Sequence, residues 1–140
     1  MYAALNAGNM SLVPNSRGLY RARGRMRDML RQLDLSQDEQ DHLLIAVGEA
    51  ISNAYLHGTT DPRFDRIEVA WRWANDEIAI TIRDNGSKFS TGLRFCPSGH
   101  RGVLARGIEL MRAGTDELGF SYSDGARVEL VKRLPGESAA

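Results

Sequence analysis

Three polar side chains and a scatter of glycines are the groups in this sequence that could do chemistry together. Glu49 and Asn53 lie four residues apart in Val47-Gly48-Glu49-Ala50-Ile51-Ser52-Asn53-Ala54, where the other residues are small or apolar. On a helix that spacing puts both side chains on one face, and His57 extends the row by another turn. The carboxylate could orient or deprotonate a nucleophile, and the amide oxygen suits Mg²⁺, a hard cation that takes oxygen ligands. A satisfied buried pair would use the same residue types, so spacing alone leaves both readings open. Asp84 closes the run Thr81-Ile82-Arg83-Asp84 and is followed by Asn85-Gly86. Asp-Asn-Gly is a common turn. An acid at a strand end, next to a glycine that permits close backbone approach, could also accept a hydrogen bond from an adenine amino group. Farther on, Gly99, Gly102 and Gly107 flank an expected helix start, where free N–H groups and the helix dipole favour phosphate.

The elements that must position these groups follow from periodicity. Leu19, Met26, Met29, Leu30 and Leu33 recur at helical spacing, which predicts an amphipathic helix over Ser16–Leu33 with Arg17, Arg21 and Arg25 on its polar side. Ser36 and Glu39 form a capping-box signature, and the run from Leu43 to Ala54 carries a second helix to about His57, ended by Gly58. Ile67–Trp73 and Ile78–Ile82 alternate in the manner of an antiparallel hairpin. No period survives between Asn85 and Arg106, which suggests disorder or a working lid. A helix over Gly107–Ala113 and strands at Phe120–Tyr122 and Val128–Leu134 close the chain, preceded at the other end by a short edge strand near Met10 and Leu12. The expected architecture is α+β, a two-layer sandwich with helices on one face of a mixed, mostly antiparallel sheet.

Length and composition fit one domain over residues 1–140, with its core at about residues 10–134. The 18 basic and 18 acidic residues cancel, which argues against the electrostatic footprint of direct nucleic-acid binding. The single cysteine, Cys96, can form no internal disulfide, and no stretch has the apolar length of a membrane span. A soluble, reducing, cytoplasmic setting is the expectation. No Walker-type phosphate loop is present either.

The ordered set Glu49-x-x-x-Asn53-Ala54, His57-Gly58, Asp84-x-Gly86, Arg106-Gly107-Ile108-Glu109-Leu110-Met111 and Asp116-Glu117 resembles the motifs of the GHKL ATPase superfamily. Within that superfamily the sequence is most similar to the RsbW-like anti-sigma-factor serine/threonine kinases, whose domain stands alone at about this length. The likeness runs from Ser16 to Leu134. It implies ATP and Mg²⁺ as cofactors, Glu49 as the catalytic carboxylate, Asn53 as the Mg²⁺ ligand and Asp84 as the adenine-binding acid. It also implies nucleotide contacts at His57, Gly86, Gly102, Arg106 and Gly107. The implied partners are a sigma factor and an anti-anti-sigma protein of STAS fold, held partly by the first helix, and the implied assembly is a homodimer.

Three positions depart from the family pattern. Lys88 stands where a second glycine usually follows Asp-x-Gly, Ala105 replaces the first glycine of a later Gly-x-Gly, and Ala126 follows Gly125 where threonine is frequent. These departures leave a second expectation, a protein-binding module with weak or no ATP turnover. The row Arg17, Arg21 and Arg25 is either solvated surface or a docking face. Trp71 and Trp73 read first as core and second as a dimer surface. His42, His100 and Cys96 have no partner at useful spacing, and none receives a role.

Overall fold

The computed structural model describes residues 6–58, 61, 63–74, 76–84, 101–122 and 125–135, with only the backbone given at 57–58, 101–105 and 122. The elements follow the expected order. They are β1 (Asn6–Leu12), α1 (Ser16–Leu30), α2 (Gln37–Asn53), a π turn (Ala54–Gly58), β2 (Ile67–Ala74), β3 (Glu77–Asp84), α3 (Arg101–Ala113), β4 (Glu117–Tyr122) and β5 (Ala126–Arg133).

Each of the first two helices starts where a side chain satisfies its free N–H groups. Asn15 Oδ1 accepts from Gly18 N at 2.7 Å. At α2, Ser36 Oγ accepts from Glu39 N at 3.1 Å while Glu39 Oε1 accepts from Ser36 N at 3.2 Å, closing the reciprocal box. Helix α1 ends at Leu30, short of the expected Leu33. Leu33 and Leu35 are nevertheless buried. The apolar spacing records inward-facing side chains, and an irregular connection can bury them as well as a helix can.

The five strands form one sheet in the order β1-β2-β3-β5-β4. Every pairing among the described strands is antiparallel, so the expected mixed sheet is antiparallel throughout. After β3 the chain runs through α3 to the far edge, lays down β4, and returns along β5 beside β3.

Alternation decides which face is covered. Ile67, Val69, Trp71 and Trp73 of β2 are buried, while Glu68, Ala70 and Arg72 are exposed. Ile78, Ile80 and Ile82 of β3, with Val128 and Leu130 of β5, complete the apolar floor, on which Met26, Leu30 and Leu43 are also fully buried. The core reading of both tryptophans therefore holds. Helix α2 packs against α1, α3, β3 and β5 at once. That central place is why its sequence is apolar over more than one face. Replacing Leu43 or Met26 by Ala would cost about 2 to 5 kcal/mol from lost burial and the resulting cavity.

Candidate functional site

Glu49 and Asn53 occupy the last two turns of α2, on one face as their spacing requires. Glu49 is half-buried and Asn53 is buried. Asn53 Oδ1 is fully enclosed and accepts no hydrogen bond from any described residue. A buried amide oxygen without a donor is costly, and proteins rarely keep one without a purpose. Oxygen is the donor type that Mg²⁺ takes, so this atom fits the metal expected there.

The expected helix to His57 becomes a π turn over Ala54–Gly58. A π turn relates residues five apart instead of four. The spacing that links Glu49 to Asn53 is therefore not the spacing of the turn that carries His57, whose side chain lies outside the described residues. The same turn packs against β3, which brings the end of α2 to the strand that carries Asp84.

Asp84 lies on the helix-covered side of the sheet, in register with Ile67 of β2, and is only 2% exposed. Gly125 backs it from the start of β5. Its φ of 109° lies in the left-handed region, and a Cβ there would collide with the Asp84 carbonyl oxygen. The sequence assigns this glycine no part in the site and marks it only as the neighbour of Ala126 in the departure from the family pattern.

Helix α3 begins at Arg101, well before the expected start at Gly107. The stretch up to Arg106 shows no apolar period of its own, but Leu104 extends the helical spacing of Ile108 and Met111 backwards. Packing against α2 overrides the weak intrinsic propensity. As a consequence, Gly102 lies in the first turn, where N–H groups are free, whereas Gly107 lies inside the helix. Gly107 instead faces α2: a Cβ placed on it would stand 3.3 Å from Glu49 Oε2. Arg106 is exposed beside it. Gly86 and most of the expected lid lie outside the described residues.

A groove of about 490 Å³ runs between α1 and α2, lined by Leu19, Tyr20 and Arg23 on one side and by Ile45, Glu49 and Ser52 on the other. Tyr20 is 80% exposed. The three arginines expected to share one role separate here. All three are exposed, but the Arg25 guanidinium also stacks over the Trp71 ring at 5.4 Å from its centroid.

The polar groups thus gather where the C-terminal end of α2 meets β3 and α3 on the helix-covered face of the sheet. The histidine kinase-like ATPase domain matches residues 13–132, and the chain belongs to that family. It is 29% identical over 100 residues to an anti-sigma F factor of Oceanobacillus iheyensis, covering 71% of this chain and 64% of that protein. It is 28% identical over 131 residues to an anti-sigma F factor of Clostridium botulinum, covering 91% and 87% of the two chains. It is also 25% identical over 115 residues to the serine-protein kinase RsbW of Bacillus subtilis, covering 76% and 72%. The fold is shared with the solved RsbU and RsbW domains of a Mycobacterium tuberculosis protein. That likeness has a TM-score of 0.70 at 19% identity over 92% of this chain and 32% of the other. No helix among the described residues is long and apolar enough to cross a membrane.

Proposed function

We propose that the chain is an ATP- and Mg²⁺-dependent serine/threonine kinase that phosphorylates an anti-anti-sigma protein of STAS fold and also captures a sigma factor. The observation that carries this reading is the buried Oδ1 of Asn53, to which no described residue donates, one helical turn from the half-buried carboxylate of Glu49. In the proposed site Asn53 Oδ1 holds Mg²⁺, Asp84 receives the adenine amino group, and the free N–H groups at Gly102 face phosphate. When bound, Mg²⁺ supplies charge neutralisation at the phosphates.

Glu49 takes the proton of the acceptor hydroxyl as its oxygen bonds to the γ-phosphorus and the bond to the β-phosphate oxygen breaks, releasing ADP. The acceptor side chain reaches Glu49 along the groove between α1 and α2, past Tyr20 and Arg23. Arg17 and Arg21 form the charged rim for the protein partner, with Arg25 a lesser contributor because it already covers Trp71. A homodimer and a cytoplasmic location belong to this reading through the family resemblance.

The second reading, a protein-capture module without useful turnover, is favoured by Ala126. This residue is buried 3% exposed and offers no hydroxyl where the family often carries threonine. Incubating the chain with labelled ATP, Mg²⁺ and a STAS protein separates the two. Label on a serine or threonine of the STAS protein supports the kinase. Tight capture with ATP bound and no label transferred supports the module.

A further inference from the structure

Glycine inside a helix costs about 1 kcal/mol relative to alanine, so a buried one asks for a reason. Gly107 has one neighbour in the direction of its missing side chain: among the described residues, only Glu49 Oε2 comes within 4 Å of a Cβ built there, at 3.3 Å. Gly24, inside α1, meets nothing within 4 Å. The two helices that bring Gly107 and Glu49 together are locked by packing, with Met111 of α3 and Ala46, Val47 and Ala50 of α2 all buried in the core.

We infer that Gly107 is a positioning residue for the Glu49 carboxylate, its bare backbone forming the seat on α3 against which Oε2 rests. The inference rests on the proposed role of Glu49 toward an acceptor hydroxyl. A methyl group at position 107 would press on Oε2 more closely than an ordinary carbon–oxygen contact allows. The helices are held by the core, so the carboxylate yields by a few tenths of an ångström. Proton abstraction in line with phosphoryl transfer depends on alignment, and a displacement on the order of 1 Å can cost about a hundredfold in rate. Position 107 therefore trades helix propensity for the placement of one oxygen, and the effects of alanine there have opposite signs: a more favourable helix and slower chemistry.

The test compares Gly107→Ala with Gly24→Ala, which makes the same propensity change without touching Glu49. Each is measured for thermal stability, for ADP formation from Mg-ATP in the presence of a STAS acceptor, and for the carboxyl carbon resonance of Glu49, assigned by its loss in Glu49→Gln. Gly107→Ala is expected to melt at or above the wild-type temperature and to keep KM for Mg-ATP within about twofold. Its kcat should fall roughly three- to thirtyfold and the Glu49 resonance should move. Gly24→Ala should leave both kcat and resonance unchanged. In a Glu49→Gln background, adding Gly107→Ala should lower turnover no further. An unmoved resonance, or an equal loss of kcat in that background, overturns the inference. A wild type that forms no ADP while the resonance still moves takes down the kinase reading and leaves the positioning of Glu49 by Gly107 supported.

Discussion

The two ends of α2 are built on opposite principles. At its N-terminus the polar groups are matched: Ser36 and Glu39 cap each other, and Lys132 Nζ of β5 reaches Glu39 at 3.5 Å and Asp116 at 3.9 Å. Asp116 in turn accepts from the Arg133 backbone N–H at 2.6 Å, tying the α3–β4 connection to the same node. At its C-terminus the helix widens into a π turn, buries an amide oxygen with no donor among the described residues, and sets a carboxylate against a bare glycine. Folding alone rewards the first arrangement and penalises the second. One end of the helix is thus arranged to secure the fold, and the other keeps polar capacity in reserve for something that binds.

The sharpest way to break this contrast is at Glu49. Glu49→Gln preserves shape, so phosphotransfer to a STAS protein should fall by roughly 10² to 10⁴ with the melting temperature nearly unchanged. Activity and stability declining together would make Glu49 part of a structural pair. Asn53→Ala comes next. At a hundredfold excess over Kd, Mg-ATP should stabilise the wild type by about 2.7 kcal/mol. The variant should lose the Mg²⁺-dependent part of that shift, while its ligand-free stability drops by no more than about 1 kcal/mol. Asn53→Asp keeps an oxygen ligand but adds charge beside the phosphates, so calorimetry should show weakened nucleotide binding there too.

The N-terminal end should answer in the reverse sense. Ser36→Ala should lower unfolding free energy by about 1 kcal/mol in urea and leave ATP affinity alone. Hydrogen bonds from the Ser36 backbone N–H, with smaller help from its hydroxyl and from Lys132, hold the Glu39 carboxyl below its ordinary range. A lowered folded-state value means this stabilisation is complete above the ordinary carboxylate range and disappears as pH falls through the folded value. Glu39→Gln should therefore flatten the acid limb of the stability curve; an unaltered limb would remove this residue from the account.

The smallest effects are expected at the arginines of α1, where the structure divides a row that the sequence groups together. Arg17→Glu with Arg21→Glu should slow partner association and change its salt dependence with stability unaffected. Arg25→Glu should instead cost about 0.5 to 1 kcal/mol of stability through its lost stacking on Trp71. Partner association that is indifferent to the first pair would return Arg17 and Arg21 to plain solvated surface.

Much of the molecule is legible locally. The capping box, the two-residue period of β2 and β3, and the four-residue spacing of Glu49 and Asn53 are written in neighbouring residues, because backbone geometry turns short spacings directly into faces. Helix ends were less legible. Leu33 is buried without being helical, and Gly102 and Gly107 are helical despite their low propensity, since long-range packing outweighs a local preference of about 1 kcal/mol.

Some features have no local trace at all. The insertion of β5 between β3 and β4 joins residues far apart in the chain, as in the pairing of Ile80 with Leu130. The seat of Glu49 on Gly107 and the backing of Asp84 by Gly125 likewise join distant residues. The sequence by itself determined which side chains could act and which helix and strand would carry them. Only the tertiary structure decided that a glycine expected to face phosphate lies behind the carboxylate, because that contact exists only once α3 has packed on α2.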